Sequence, residues 1–213
     1  MKCDKQTMRL YAVTDRAWVG RQSLYEQVAF ALKGGVTCVQ LREKELEAEA
    51  FLQEAIALSA LCRQQGVPFF INDNVEIAIK CHADGVHVGQ EDMKAAQVRQ
   101  LVGKDMVIGV SVHTVDEALD AVKNGADYLG VGAMFSTSTK SDADVLSMET
   151  LREICAAVDV PVVAIGGIGK DNIAQLAGTG VDGVALVSAI FACDDIEREC
   201  RLLRRLSEEM IKA

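Results

Sequence analysis

The run CVQLREKE, residues 38–45, sets an amide, a guanidinium and an ammonium two residues apart, at Gln40, Arg42 and Lys44. Side chains alternate along a β-strand, so these three share one face while Val39 and Leu41 share the other. A strand with one apolar face and one face of this kind is built to meet an anion. Together with Lys140, Arg42 and Lys44 could hold a diphosphate, the arginine through a bidentate fork and the lysines as point charges. At a surface-like dielectric each close charge pair contributes roughly 4 kcal/mol before desolvation. The plainer reading is that Arg42 and Lys44 are solvated strand-end charges paired with Glu43 or Glu45.

Two other groups carry chemistry. Asp73 and Asp92 are expected at the ends of neighbouring strands, where they could share one Mg²⁺, an ion that takes one or two carboxylates plus substrate phosphate oxygens. Asp73 is also a plausible N-cap for the helix after it. The runs AIGGIGKDN and VALVSAIF put glycine N–H groups after one strand and Ser188 after the next, a place where many barrels cradle a monophosphate. Among the three histidines, His82 is expected on a helix surface and His87 in the core, leaving His113 as the one to test. The chain has no GxSxG, HExxH or P-loop.

These residues need a frame that brings strand ends together. Strand-like runs (RLYAVTD, CVQLREK, PFFIND, GVHVG, MVIGVSVH, YLGVGAMF, VPVVAIGGI, GVALVSAIF) alternate with helical patterns, making eight β-then-α units. Residues 106–110 and 160–165 are apolar on both faces, as in a parallel sheet covered by helices. Eight such units in one chain of 213 residues predict a single (β/α)₈ TIM barrel spanning residues 1–213. A doubly wound open sheet is the competing architecture, but no GxGxxG follows the first strand. In a barrel the site lies at the carboxyl ends of the strands, the rim on which these polar residues converge.

The bulk numbers bound the rest. With 31 acidic against 22 basic residues the net charge is −9, which argues against nucleic acid or anionic membrane as partners. The amino terminus shows no apolar signal segment and no run approaches the ~18 apolar residues of a membrane span, so a cytoplasmic protein is expected. The seven cysteines lack a CxxC pair and read as reduced thiols. Small-molecule substrates are the expected partners. A homo-oligomer is compatible with the sequence, which does not fix the oligomeric state.

The motifs VQLREK, FIND, ADGVHVGQED, IGVSVH, FSTSTK, VAIGGI and LVSAI fall in the order and spacing of thiamine phosphate synthase, and the chain resembles that family from Arg9 to Ile190. The resemblance implies a TIM barrel that joins 4-amino-5-hydroxymethyl-2-methylpyrimidine diphosphate to a thiazole phosphate, releasing pyrophosphate. It implies that Gln40, Leu41, Arg42, Glu43, Lys44, Asn72, Ser111 and Lys140 bind the pyrimidine diphosphate. Arg42, Lys44, Ser111 and Lys140 would act in catalysis. One Mg²⁺ would go to Asp73 and Asp92, and the thiazole phosphate to Thr137, Ser138, Thr139, Gly167, Val187 and Ser188. The chain departs from the family at Ala133 and Ser136, where a proline is common, and at Glu91, where Asp is common.

Three rivals stand beside this reading. A thiazole tautomerase of the same fold would do no diphosphate chemistry, and the joint presence of Arg42, Lys44, Asp73, Asp92 and Lys140 argues against it. A sugar-phosphate isomerase would need an acid–base pair on the rim, for which Asp73 with His113 is the candidate. A non-catalytic, thiazole phosphate-binding regulatory barrel would use the same pocket as a sensor.

Overall fold

A computed structural model describes residues 3–20, 22–137 and 145–213. Its eight strands are β1 (Leu10–Val13), β2 (Cys38–Leu41), β3 (Phe69–Asn72), β4 (Gly85–Val88), β5 (Val107–Val112), β6 (Tyr128–Val131), β7 (Val162–Ile165) and β8 (Gly183–Leu186). They pair in sequence order, all parallel, and β8 returns to β1 to close a barrel. The helices are α1 (Leu24–Lys33), α2 (Ala48–Gln64), α3 (Val75–Lys80), α4 (Ala95–Val102), α5 (Val115–Lys123), α6 (Met148–Ala157), α7 (Ser188–Phe191) and α8 (Ile196–Lys212). Among the described residues no helix is long and apolar enough to cross a membrane.

Local chemistry explains where the helices begin. Ser23 accepts from the Glu26 N–H while Glu26 returns a bond to the Ser23 N–H, a capping box that starts α1. Asn74, Thr114, Ser147 and Asp195 cap α3, α5, α6 and α8 through their side chains. Asp73 is therefore not the cap of α3, and its carboxylate is left for another use.

Strand alternation sorts the apolar residues into two layers. Val39, Leu41, Ile71, Val86, Ile108, Leu129, Ala164 and Val184 face outwards and pack against the helices. Tyr11, Cys38, Phe70, Val107, Tyr128, Val163 and Ala185 fill the interior. Three aromatic rings meet inside, with centroids 5.7–5.9 Å apart. Space for Tyr128 comes from Gly109, where a Cβ would fall 2.1 Å from the tyrosine ring. The barrel interior is thus a packed core up to the level of the site.

The structure corrects two details of the sequence reading. The run DNIAQLAGTG, 171–180, read from the sequence as the seventh helical pattern, forms only a four-residue 3-10 helix, Ile173–Leu176, instead of an α-helix. Its apolar residues Ile173 and Leu176 are buried while Gly178 and Gly180 adopt positive φ, so the segment turns before a second helical turn can form. As expected from the sequence, Ser188 follows the last strand: β8 ends at Leu186 and α7 begins at Ser188. Pro68 and Pro161, the two prolines of the chain, are each expected from the sequence at the first position of a strand, but lie one residue before β3 and β7. Their carbonyls still accept from the N–H groups of Val39 and Leu129, so the rings cost the sheet no acceptor.

Candidate active site

At the carboxyl ends of the strands lies a cavity of about 530 Å³, of a size suited to a small ligand. Gln40, Arg42, Lys44, Asn72, Asp73, Asp92, Ser111, Thr137, Gly167, Val187 and Ser188 all line it, as do Gln90, Glu91 and His113. Residues from seven strand ends thereby meet in one space. Ser138, Thr139 and Lys140 lie outside the described residues.

The cationic side is held by carboxylates from other strands. Arg42 Nη1 donates to Asp15 Oδ2 at 2.7 Å, and the Arg42 N–H donates to the Thr14 hydroxyl at 3.0 Å. Asp15 follows β1 and also caps the short 3-10 helix Arg16–Trp18. Lys44 Nζ donates to Asp73 Oδ2 at 2.5 Å. Both cations are therefore paired, but with rim carboxylates of β1 and β3 and not with Glu43 or Glu45. They remain partly exposed, with side chains at 29% and 55% of full accessibility, so an anion can reach them.

Leu41 and Glu43 do not turn their side chains into this space. Leu41 is buried among the outward-facing residues of the barrel. Glu43 accepts from Arg16 Nε at 2.7 Å and from the N–H groups of Glu45 and Leu46. Burial pushes the Glu43 carboxyl up, but the Arg16 guanidinium and those two N–H donors outweigh it and hold the group below the usual carboxylate range. The role of Glu43 is to fold the turn that carries Lys44. Alternation along the strand gives the reason: only every second residue can face the barrel axis.

Asp73 and Asp92 form the acidic side. Asp73 sits at φ +63, a conformation that Asp tolerates better than most residues, and accepts from Asn72 Nδ2 at 2.6 Å as well as from Lys44. Burial first, then the neighbouring Asp92, push its carboxyl above the ordinary value against the pull of Lys44. Asp92 Oδ2 accepts from the Gly89 N–H at 2.8 Å, which fixes the loop after β4. Two carboxylates this close disfavour each other's charge, and a divalent cation would relieve that conflict. Among the described residues no group of three or more His, Cys, Asp or Glu gathers as a metal cage. The donor set fits Mg²⁺, which needs few protein carboxylates when phosphate oxygens complete its shell.

Across the cavity are the turns after β7 and β8. Gly167 holds φ +65, and a Cβ there would fall 2.5 Å from the Ser136 carbonyl, so this position of the wall has room for backbone only. Asn172 Nδ2 donates to the Gly167 carbonyl at 2.9 Å, and Asn172 Oδ1 accepts from the Gly169 N–H, which pins the turn. Ser188 opens α7, whose first internal bond runs from Ile190 N–H to the Val187 carbonyl. A wall of this kind, glycine backbone on one side and a hydroxyl on the other, can take a phosphate.

The floor contains residues that the sequence did not single out. Gln40 Nε2 donates to Tyr11 Oη at 2.8 Å, and Tyr11 Oη lies 2.8 Å from Tyr128 Oη. Tyr128 Oη is 2.8 Å from His87 Nδ1, and His87 Nε2 is 2.9 Å from Ser111 Oγ. Burial lowers the His87 pKa to about 4, so the ring is neutral near pH 7. His87 is buried, as the sequence led us to expect, yet it touches the cavity. His113 is exposed and bonds Glu117 Oε2 at 3.2 Å. Among the described residues its side-chain partner is this α5 carboxylate and not Asp73, the partner an acid–base pair would require.

A closed eight-stranded parallel barrel that gathers cations, paired carboxylates and a glycine turn at its C-terminal rim has the architecture of a (β/α)₈ enzyme. Comparison with known proteins narrows the class. The model of the family described as thiamine monophosphate synthase matches residues 10–190. The chain is 48% identical over 203 residues to a thiamine-phosphate synthase of Clostridium beijerinckii, covering 95% of this chain and 96% of that protein. It is 46% identical over 195 residues to the thiamine-phosphate synthase of Clostridium acetobutylicum, covering 92% of each. The solved thiamine phosphate pyrophosphorylase of Pyrococcus furiosus superposes with a TM-score of 0.89 at 39% identity, covering 97% of this chain and 98% of that one. The chain belongs to the thiamine monophosphate synthase family, whose members are transferases.

Proposed function

We propose that the protein is a Mg²⁺-dependent thiamine phosphate synthase. It transfers the 4-amino-2-methyl-5-pyrimidinylmethyl group from its diphosphate to the ring nitrogen of a thiazole phosphate. The observation that carries this reading is the arrangement of one cavity: Arg42 and Lys44 beside Asp73 and Asp92 on one side, Gly167 and Ser188 on the other. One wall suits a diphosphate and the other a monophosphate, the two charged ends that such a pair of substrates brings.

The reaction breaks the carbon–oxygen bond of the pyrimidinylmethyl diphosphate, and the electron pair leaves with pyrophosphate. The thiazole nitrogen supplies its lone pair to the methylene carbon. No proton has to be removed from that nitrogen, which explains why a neutral buried His87 and a peripheral His113 suffice. Arg42 and Lys44 stabilise the charge that grows on the departing pyrophosphate. Asp73 and Asp92 would hold the Mg²⁺, which when bound neutralises charge on the diphosphate. Gly167, Val187 and Ser188, with Thr137, hold the acceptor phosphate so that the nitrogen faces the carbon. Lys140, Ser138 and Thr139 are assigned to the same two ends by the family resemblance. Leu41 and Glu43 are left with a supporting part, since their side chains serve the outer core and the turn.

The test is to supply both phosphorylated rings to the purified protein and look for thiamine phosphate. Its appearance supports the reading. Binding of the thiazole phosphate without product would favour a tautomerase or a sensor.

A further inference from the structure

The chain of contacts Gln40–Tyr11–Tyr128–His87–Ser111 runs through five strands of the barrel, and each link is 2.8–2.9 Å. Tyr11 and Tyr128 are fully buried, and Gln40 and His87 nearly so. Each phenol has one hydrogen to give, and neutral imidazole has one N–H and one bare nitrogen. These limits couple the links. Gln40 Nε2 can only donate, so the Tyr11 hydroxyl gives its own hydrogen to Tyr128. Tyr128 must then give its hydrogen to His87 Nδ1. The remaining His87 proton sits on Nε2 and points at Ser111 Oγ, which accepts it. The Ser111 hydrogen is released to be donated elsewhere. Within these five links, any break in this order either leaves a buried hydroxyl hydrogen without an acceptor in the chain or sets two lone pairs against each other, both unfavourable in a low-dielectric interior.

We propose that Tyr11, Tyr128 and His87 form a positioning relay that lets the amide of Gln40 dictate the hydrogen-bonding character of Ser111, keeping Ser111 a donor. The serine hydroxyl then offers its hydrogen to a lone pair of the bound pyrimidine diphosphate and disfavours a ligand that presents a donor there. The identity of that ligand rests on the proposed function; the relay does not. Burial of His87 supports the arrangement, because a charged ring would donate from both nitrogens and uncouple the two ends. The Gln90 amide holds the Ser111 carbonyl at 2.7 Å, so the serine backbone is fixed while its hydroxyl turns.

The relay predicts a defined tautomer. In the substrate-free, full-length protein labelled with ¹⁵N-histidine, His87 carries its proton on Nε2, with Nδ1 bare. Its signals are identified by their loss in His87→Gln. Gln40→Glu replaces the donor by an acceptor two residues beyond direct reach of the imidazole. Tyr11 and Tyr128 must then both reverse, and His87 moves its proton to Nδ1. Adding Tyr128→Phe to Gln40→Glu removes the link and abolishes that reversal. A merely structural role for these side chains would leave the tautomer unmoved by Gln40→Glu. The proposal is overturned by an Nδ1–H tautomer in the unaltered protein, a result that needs no variant to fold. It is equally overturned if His87 keeps its tautomer in a folded Gln40→Glu protein. Because the spectra contain no substrate, they judge the relay alone, whereas absence of thiamine phosphate formation would count against the substrate reading.

Discussion

Lys44 Nζ rests 2.5 Å from Asp73 Oδ2, so the cation we propose for the diphosphate and a carboxylate we propose for Mg²⁺ neutralise each other in the substrate-free cavity. Binding of Mg²⁺ to Asp73 would free the ammonium for the diphosphate, and the two events are expected to reinforce one another. Asp73→Asn or Asp92→Asn should therefore raise the Mg²⁺ concentration needed for half-maximal rate and lower turnover by roughly 10²–10³-fold, the scale seen when one stabilising group is lost at a developing charge. Binding of the thiazole phosphate should stay nearly unchanged. A Mg²⁺ titration of each variant checks this, and equal metal dependence in variant and unaltered protein would remove these residues from the metal site.

Arg42 offers a second separation of roles. Its guanidinium is anchored on Asp15 at 2.7 Å, which orients the fork towards the cavity. Lysine keeps the charge but lacks the planar pair of donors. Arg42→Lys should weaken pyrimidine diphosphate binding about tenfold, the scale of one charge-assisted hydrogen bond, and leave the acceptor untouched. Calorimetric titration with each substrate separately is the check.

On the opposite wall, Ser188→Ala should weaken the thiazole phosphate about tenfold while the diphosphate binds as before. The residue sits at the first position of α7 and lines the cavity at the end proposed for the acceptor phosphate. Loss confined to the diphosphate would show that the two walls have been assigned the wrong way round.

Acid should destabilise the protein through His87. Its folded pKa of about 4 lies below the usual value of 6.5, so the unfolded chain binds the proton more readily. The contribution is present in full above pH 6.5 and is lost as pH falls from 6.5 towards 4, by about 3 kcal/mol at most. His87→Gln should flatten this part of the stability profile. Denaturant unfolding at pH 7 and pH 4.5, compared between the two proteins, separates this effect from the carboxylates that titrate nearby.

Gly109→Ala tests the packing beneath the site. The added methyl would lie 2.1 Å from the Tyr128 ring, which has a fully buried neighbourhood and cannot step aside. Overpacking of this kind costs roughly 1–3 kcal/mol. Thermal melting should show the loss, and the displaced Tyr128 should lower activity even below the melting range.

Much of the frame was legible because parallel strands and amphipathic helices leave strong local periods. All eight strands appear within runs picked out from the sequence. The seventh helical pattern failed because glycines at 178 and 180 end the segment after one turn, a stop that outweighs its apolar spacing. The rim residues Gln40, Arg42, Lys44, Asn72, Asp73, Asp92 and Ser111 were legible because polar side chains stand out at the ends of apolar strands. Asp15 was not, since its pairing with Arg42 joins residues 27 apart and leaves no local trace. Tyr11 and Tyr128 escaped for a different reason. Inside apolar strands a tyrosine reads as packing, and only the folded barrel shows that two phenols meet head to head. Leu41 and Glu43 were carried with their neighbours by the resemblance, whereas alternation along β2 turns the Leu41 side chain away from the cavity and Arg16 with the turn N–H groups holds that of Glu43.

The measurement that reaches the central claim most directly is a coupled assay with both phosphorylated rings, run with and without Mg²⁺, following thiamine phosphate and pyrophosphate together. The account predicts equal amounts of the two products, formed only when Mg²⁺ is present. Thiazole phosphate bound at the glycine wall with neither product formed, at any Mg²⁺ concentration, would contradict it.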